Sequence, residues 1–232
     1  MLAARNLYKS FGGVAAVHGV DLTVGHGELM CIIGPNGAGK SSLLNLLCGV
    51  MRMDSGEIRF EGRDISRLPI YKFPRIGIAR KFQAPAVFTD LSVRENLRVS
   101  GDAVGISYRE DEIDEHLERI GLLQEADMRA GSLAHGKKQW LEFGLCFVIR
   151  PRLLLLDEPT AGMTSEETVS TAALLKSLRR DMAAVVIEHD MSFVRELSTR
   201  TCVMHQGKIV RDGTFNDIES DSFVQEIYLG KE

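Results

Sequence analysis

Hydrophobic and polar positions along the chain divide it into apolar runs and amphipathic stretches, separated by turn residues. Residues 2–24 alternate short apolar strands with a turn at Gly12-Gly13, and Val20-Asp21-Leu22-Thr23-Val24 has the period-2 pattern of a half-buried strand. Leu29-Met30-Cys31-Ile32-Ile33 is a continuous apolar run that suits a buried strand, and Leu43 to Leu47 suits a buried helix. Turn residues at Asp54-Ser55-Gly56 and Glu61-Gly62 bracket the alternating Glu57-Ile58-Arg59-Phe60, which predicts a small antiparallel hairpin. Around residues 75–88, Pro85 breaks any regular element.

From about 92 to 150 the pattern becomes helical. Ser92-Val93-Arg94-Glu95 is a capping box that opens one helix. Ile113, Leu117 and Ile120 recur at helical spacing with acids between them, so the charge run REDEIDEHLER is the solvated face of an amphipathic helix. A further helix is expected from about Lys138 to Ile149, stopping before Pro151. This block reads as a helical subdomain inserted in an α/β core.

Beyond it, Leu153 to Leu156 suits a parallel strand buried on both faces, delivering Asp157 and Glu158 at its C-terminal end. Thr164-Ser165-Glu166-Glu167 caps a helix to about Arg180, and Ala184 to Glu188 is another buried strand, ending at His189. Phe193, Val194 and Leu197 mark one more helix, and residues 202–210 form a hairpin turning at Gln206-Gly207.

Between the run at 29–33 and the helix at 43–47 lies Gly34 to Ser42, GPNGAGKSS. Its Gly34, Gly39, Lys40 and Ser41 satisfy G-x-x-x-x-G-K-[ST], the loop whose backbone N–H groups cradle phosphates. The helix starting near Lys40 adds the positive end of its dipole. Lys40 reaches the terminal phosphates, and the Ser41 hydroxyl can ligate Mg²⁺. Asp157 then holds the metal opposite Ser41, and Glu158 can polarise an attacking water. Other residues stay open on their chemistry alone: Phe11 is a base-stacking aromatic or a core residue, Gln83 a metal or water ligand or a plain loop residue. His189 is a phosphate or water contact or a structural histidine.

Composition narrows the classes. The 232 residues, 44% hydrophobic and 26% charged, suit one substantial core. A net charge of −4 gives no electrostatic case for nucleic acid as a partner. No apolar run approaches the roughly 18–20 residues of a membrane span, and residues 1–13 lack the apolar core of a signal peptide. Cys31, Cys48, Cys146 and Cys202 sit in apolar segments without C-x-x-C spacing, so buried thiols are expected.

The order aromatic, GPNGAGKSS, Gln83, Leu133-Ala134-His135-Gly136-Lys137, LLLLDEP, His189 resembles the ATP-binding subunits of ABC transporters over essentially the whole chain. The resemblance implies a P-loop NTPase of ABC ATPase type, a single nucleotide-binding domain over residues 1–232. Its core sheet would be mostly parallel, with an N-terminal antiparallel β region. It implies ATP and Mg²⁺. The nucleotide-binding set would be Phe11, stacked on adenine, Val17, Gly34, Pro35, Asn36, Gly37, Ala38, Gly39, Lys40, Ser41 and Ser42. Ser41, Gln83 and Asp157 would serve the metal. Glu158 would be the catalytic base, His189 the switch histidine, and Gln83 the loop glutamine that senses Mg²⁺ and the membrane subunits. Leu133 to Lys137 would be the signature motif capping ATP held by a partner subunit.

Implied partners are a second ATP-binding subunit, transmembrane permease subunits and, indirectly, a solute-binding protein, at the cytoplasmic face of the membrane. Ala161-Gly162-Met163-Thr164 and Ile227-Tyr228-Leu229-Gly230 resemble the branched-chain amino acid, amide and urea importers. RKFQAP, KKQWLE and GMTSEET resemble the urea-uptake subunit, which puts urea or short amides first and branched-chain amino acids or a weakly catalytic regulatory cassette as alternatives. A soluble ATPase of DNA repair or translation is the competing class. Three positions depart from the family: Ala134 replaces the usual signature serine, Lys137 the usual final glutamine, and Thr164 the aspartate common in the loop after the catalytic glutamate.

Overall fold

The structure is a computed structural model that describes residues 1–82, 86–178, 181–197 and 199–229. It opens with β1 (Leu2–Phe11) and β2 (Val14–Val24), followed by β3 (Leu29–Ile33), α1 (Lys40–Leu47), β4 (Ser55–Phe60), β5 (Arg63–Asp64) and β6 (Ile78–Lys81). Three helices come next: α2 (Val93–Ala103), α3 (Glu110–Arg119) and α4 (His135–Phe147). Then follow β7 (Leu153–Asp157), α5 (Ser165–Ser177), β8 (Ala183–Ile187), α6 (Met191–Leu197), β9 (Arg200–His205) and β10 (Lys208–Thr214). The described chain closes with α7 (Phe215–Ser220) and α8 (Ser222–Leu229).

The strands form two sheets. An antiparallel sheet runs β2-β1-β4-β5, and a mixed sheet runs β10-β9-β3-β8-β7-β6, antiparallel only between β10 and β9. Alternation along the buried strands divides the core in two. Cys31, Ile33, Leu154, Leu156, Ala184 and Val186 face α2 to α6. Met30, Ile32, Leu153, Leu155, Val185 and Ile187 face α1 and the antiparallel sheet. Strands with both faces covered read as unbroken apolar runs, which is why the leucines at 153–156 identify one.

The register brings three strand ends level: Ile32 lies beside Ile187, and Ile187 beside Asp157. The C-terminal ends of β3, β8 and β7 therefore open on one edge, where open α/β sheets take ligands.

Several expectations are adjusted. The N-terminal strands are long, ten and eleven residues, because irregularities in their register let them curve while staying paired. The short edge strand β6, from Ile78 to Lys81, was not expected. Its two charged residues hide the pattern of a buried strand. Helix α4 starts at His135 rather than Lys138, since Gly136 and the polar residues around it are tolerated in a first turn. Helix α5 is seen from Ser165 to Ser177, short of the expected Arg180, and residues 179–180 lie outside the described residues. The capping boxes at Ser92 and Thr164 form as read, and the four cysteines are free and buried.

Candidate functional site

The phosphate loop is held by contacts that a side chain would destroy. Gly39, the N-cap of α1, has φ 101°, and a Cβ there would overlap the carbonyl oxygen of Ala16. At Gly34 a Cβ would overlap the Met204 carbonyl. The loop is thus wedged between β2 and β9, with Gly207 N–H donating to Ala38 O at 2.9 Å. At Gly37 the same position is open space.

Ala16, residues 36–42 and Glu158 line a cleft of about 260 Å³. Lys40 Nζ donates to Gly34 O at 2.7 Å and to Pro35 O at 3.0 Å. Burial pushes its pKa down, while the Glu158 and Asp157 carboxylates pull it back up. Ser41 Oγ stands 3.5 Å from Asp157 Oδ1, at the outer limit of a hydrogen bond. Burial pushes the Asp157 carboxyl above the usual range; the Arg80 guanidinium, 3.3 Å from Oδ2, acts against this.

Glu158 leaves the strand with φ 47°, a left-handed conformation that costs a non-glycine residue about 1–3 kcal/mol and is typical of functional positions. It is fixed by its N–H donating to Ile187 O at 3.0 Å and by a turn in which Ala161 N–H reaches its carbonyl at 3.2 Å. Its Oε1 lies 3.4 Å from His189 Nδ1.

Glu188 was read only as the end of a strand. It is buried, and its carboxylate accepts from the Thr160 hydroxyl at 2.7 Å and from the N–H groups of Thr160, His189 and Asp190 at 3.1–3.5 Å. It ties the turn after Glu158 to the segment carrying His189, and burial pushes its carboxyl up. An acid directly after the apolar run 183–187 was the available signal.

Phe11 is 49% exposed at the end of β1, with Lys9 Nζ 5.5 Å from its ring centroid, so it is not a core residue. Val17 is fully buried in the core, so its side chain does not reach the cleft; its neighbour Ala16 lines it. Leu133 is buried, and Ala134 is the N-cap of α4 without a side-chain cap. His135 and Gly136 form the first turn of α4, against Gly162 and Glu167 respectively. Lys137 is paired with Glu125. Gln83 lies outside the described residues.

The residues fit a magnesium nucleotide. Among the described residues no group of three or more His, Cys, Asp or Glu gathers to hold a metal by itself. A hydroxyl and a carboxylate oxygen facing each other beside a phosphate cradle suit Mg²⁺, which takes most of its shell from phosphate and water.

A phosphate loop at the end of a buried parallel strand, with an Asp-Glu pair two strands away on the same edge, defines a P-loop ATPase. The ABC transporter family model matches residues 17–161. The high-affinity branched-chain amino acid transport ATP-binding protein BraF of Pseudomonas aeruginosa is 36% identical, across 100% of this chain and 98% of its own length. The lipopolysaccharide export ATP-binding protein LptB of Escherichia coli is 32% identical, over 100% and 98%. A nucleotide-free ATP-binding cassette from an ABC transporter superposes with a TM-score of 0.89 at 29% identity, covering 100% of this chain and 99% of that one. An ADP-bound cassette structure matches equally, with TM-score 0.89, 29% identity and the same coverage. The chain belongs to the ABC transporter family, as one of its ATP-binding, ATP-hydrolysing cassettes. Among the described residues no helix is long and apolar enough to cross a membrane.

Proposed function

We propose that this chain is the motor subunit of a membrane importer for branched-chain amino acids. The observation that carries the reading is the full-length similarity to the branched-chain transport ATPases, joined to a cleft lined by the phosphate loop and Glu158, with Asp157 beside Ser41 and His189 beside Glu158. The sequence alone put urea or short amides first; the relatives favour the alternative. Urea stays as the second reading on the strength of RKFQAP, KKQWLE and GMTSEET.

In this reading the backbone N–H groups of residues 34–42 cradle the ATP phosphates, and Lys40 exchanges its loop carbonyls for phosphate oxygens. Phe11 stacks on the adenine. Ser41, Asp157 and Gln83 would hold Mg²⁺, which would supply charge neutralisation to the phosphates. Glu158 accepts a proton from the attacking water, and His189 holds Glu158 and the terminal phosphate in register. Residues 133–137 face the ATP of a second cassette across a head-to-tail dimer. With Ala134 lacking a hydroxyl and Lys137 paired to Glu125, the donors there are the free N–H groups and dipole of α4. The dimer sits at the cytoplasmic face, under permease subunits served by a solute-binding protein.

The test is reconstitution with the permease and binding protein that co-purify with the chain. Leucine-loaded binding protein is expected to stimulate ATPase activity and urea not to; stimulation by urea alone reverses the assignment.

A further inference from the structure

Glu188 is the first residue past β8, and counting on from Ala184 and Val186 it falls on the sheet face that the helices cover. The pattern calls for an apolar side chain there, yet a carboxylate, 1% exposed, takes the place. A buried charge is costly unless its hydrogen bonds are made, and burial does push this carboxyl above the ordinary range.

Its two oxygens serve different segments. Oε1 accepts from the Thr160 hydroxyl at 2.7 Å and from the Thr160 N–H at 3.3 Å, both in the turn that Glu158 opens. Oε2 accepts from the N–H groups of His189 at 3.1 Å and Asp190 at 3.5 Å. The backbone N–H of Glu188 donates to Ile32 O at 3.3 Å, in the strand that leads into the phosphate loop. One buried residue thus holds the turn after Glu158, the backbone of His189 and the end of β3.

At the cleft, Glu158 Oε1 and His189 Nδ1 are 3.4 Å apart on side chains that are 27% and 62% exposed. A pair so exposed is too weak to fix its own geometry. The placement of the two side chains is therefore imposed from within the core, by the segments that carry them. Only a carboxylate can hold both segments in this way. It offers acceptors alone, whereas a glutamine of the same shape has one acceptor atom and turns an NH₂ group on the donors at its other end.

We propose that Glu188 is a positioning residue for ATP hydrolysis: with one oxygen on each segment, it sets the reach of Glu158 and His189 toward each other and toward the terminal phosphate. The inference rests on the functional reading above and adds to it a residue that does not line the cleft.

The test uses the full chain. Glu188→Gln keeps the shape and, by setting an amide nitrogen against backbone N–H groups, frees one of the two segments. It is expected to melt within a few degrees of the wild type and to bind a fluorescent ATP analogue with unchanged affinity, because the phosphate loop keeps its own contacts. Its kcat is expected to fall about 10- to 100-fold, the scale of an ångström-level misplacement, with KM unchanged. Residues that act as a unit are not additive, so in a His189→Ala background the same change is expected to cost roughly threefold or less. Wild-type kcat in Glu188→Gln, or the full loss repeated in the His189→Ala background, overturns the proposal.

Thr160→Val removes the hydroxyl while keeping the shape, and is expected to lower kcat about fivefold or more at unchanged analogue affinity. Thr160→Ser, which keeps the hydroxyl, is expected to recover the rate. Equal rates in the two Thr160 variants overturn the proposal, and decide the matter if Glu188→Gln does not fold. Glu158→Gln serves as the control: normal turnover in that variant sinks the functional reading itself, whereas its loss beside an unimpaired Glu188→Gln sinks only the role of Glu188.

Discussion

At the scale of single residues, what could be read from sequence depended on how far apart in the chain the interacting partners lie. The phosphate loop announces itself because nine consecutive residues carry its chemistry. Glu188 and Arg80 do not, because their partners are 28 and 77 positions away. Buried Glu188 gives a pH test. Its folded pKa is raised above the ordinary 4.5, so its contribution to stability is full below that value and is lost as pH rises through the folded one. Relative to the wild type, Glu188→Gln should therefore gain melting temperature as pH rises above the ordinary carboxylate range; a gap that moves the other way contradicts the burial argument. Ala134 gives a second test. It occupies a non-helical N-cap with φ −58° and ψ 156°, ready for a capping hydroxyl. Ala134→Ser should stabilise by about 1 kcal/mol, raising Tm by roughly 2–4 °C. It should also raise the ATPase rate of the assembled dimer, and an unchanged rate would mean that the backbone donors suffice.

Among the elements, helices with capping boxes and strands with unbroken apolar runs were legible, since their signals are local. In α5, Thr164 Oγ1 accepts the Glu167 N–H at 3.3 Å while Glu167 Oε2 accepts the Thr164 N–H at 2.8 Å. Thr164→Ala should cost about 1 kcal/mol, a fall of roughly 2–4 °C in a thermal melt. A melt unchanged to within half a degree would assign the helix start to packing instead. Strand β6 was missed because half of its residues are cations whose counter-charges come from other elements. The C-terminal helices α7 and α8 were not read either: at six and eight residues they are too short for periodicity to mark, and α7 is fixed by the Thr214–Asp217 cap and by Phe215 and Ile218 in the core. The three-residue displacement of the α4 start has the same origin, in a first turn without a side-chain cap to announce it.

For the whole molecule, the sheet order explains the site. Residues 33, 157 and 187 are remote in sequence, yet parallel pairing of β3, β8 and β7 sets their ends on one edge. Neither the sheet order nor the long N-terminal strands could be read from local patterns, because both depend on which strands pair. The transported solute was legible only as a choice between groups, because the motifs that stand out in the sequence are those of a nucleotide site. The central claim is that this edge hydrolyses ATP with Glu158 as the base, and it is tested most directly by Glu158→Gln. The variant is expected to bind MgATP as tightly as the wild type while hydrolysing it about 10²- to 10⁴-fold more slowly. Turnover near the wild-type rate, with binding intact, would contradict the account.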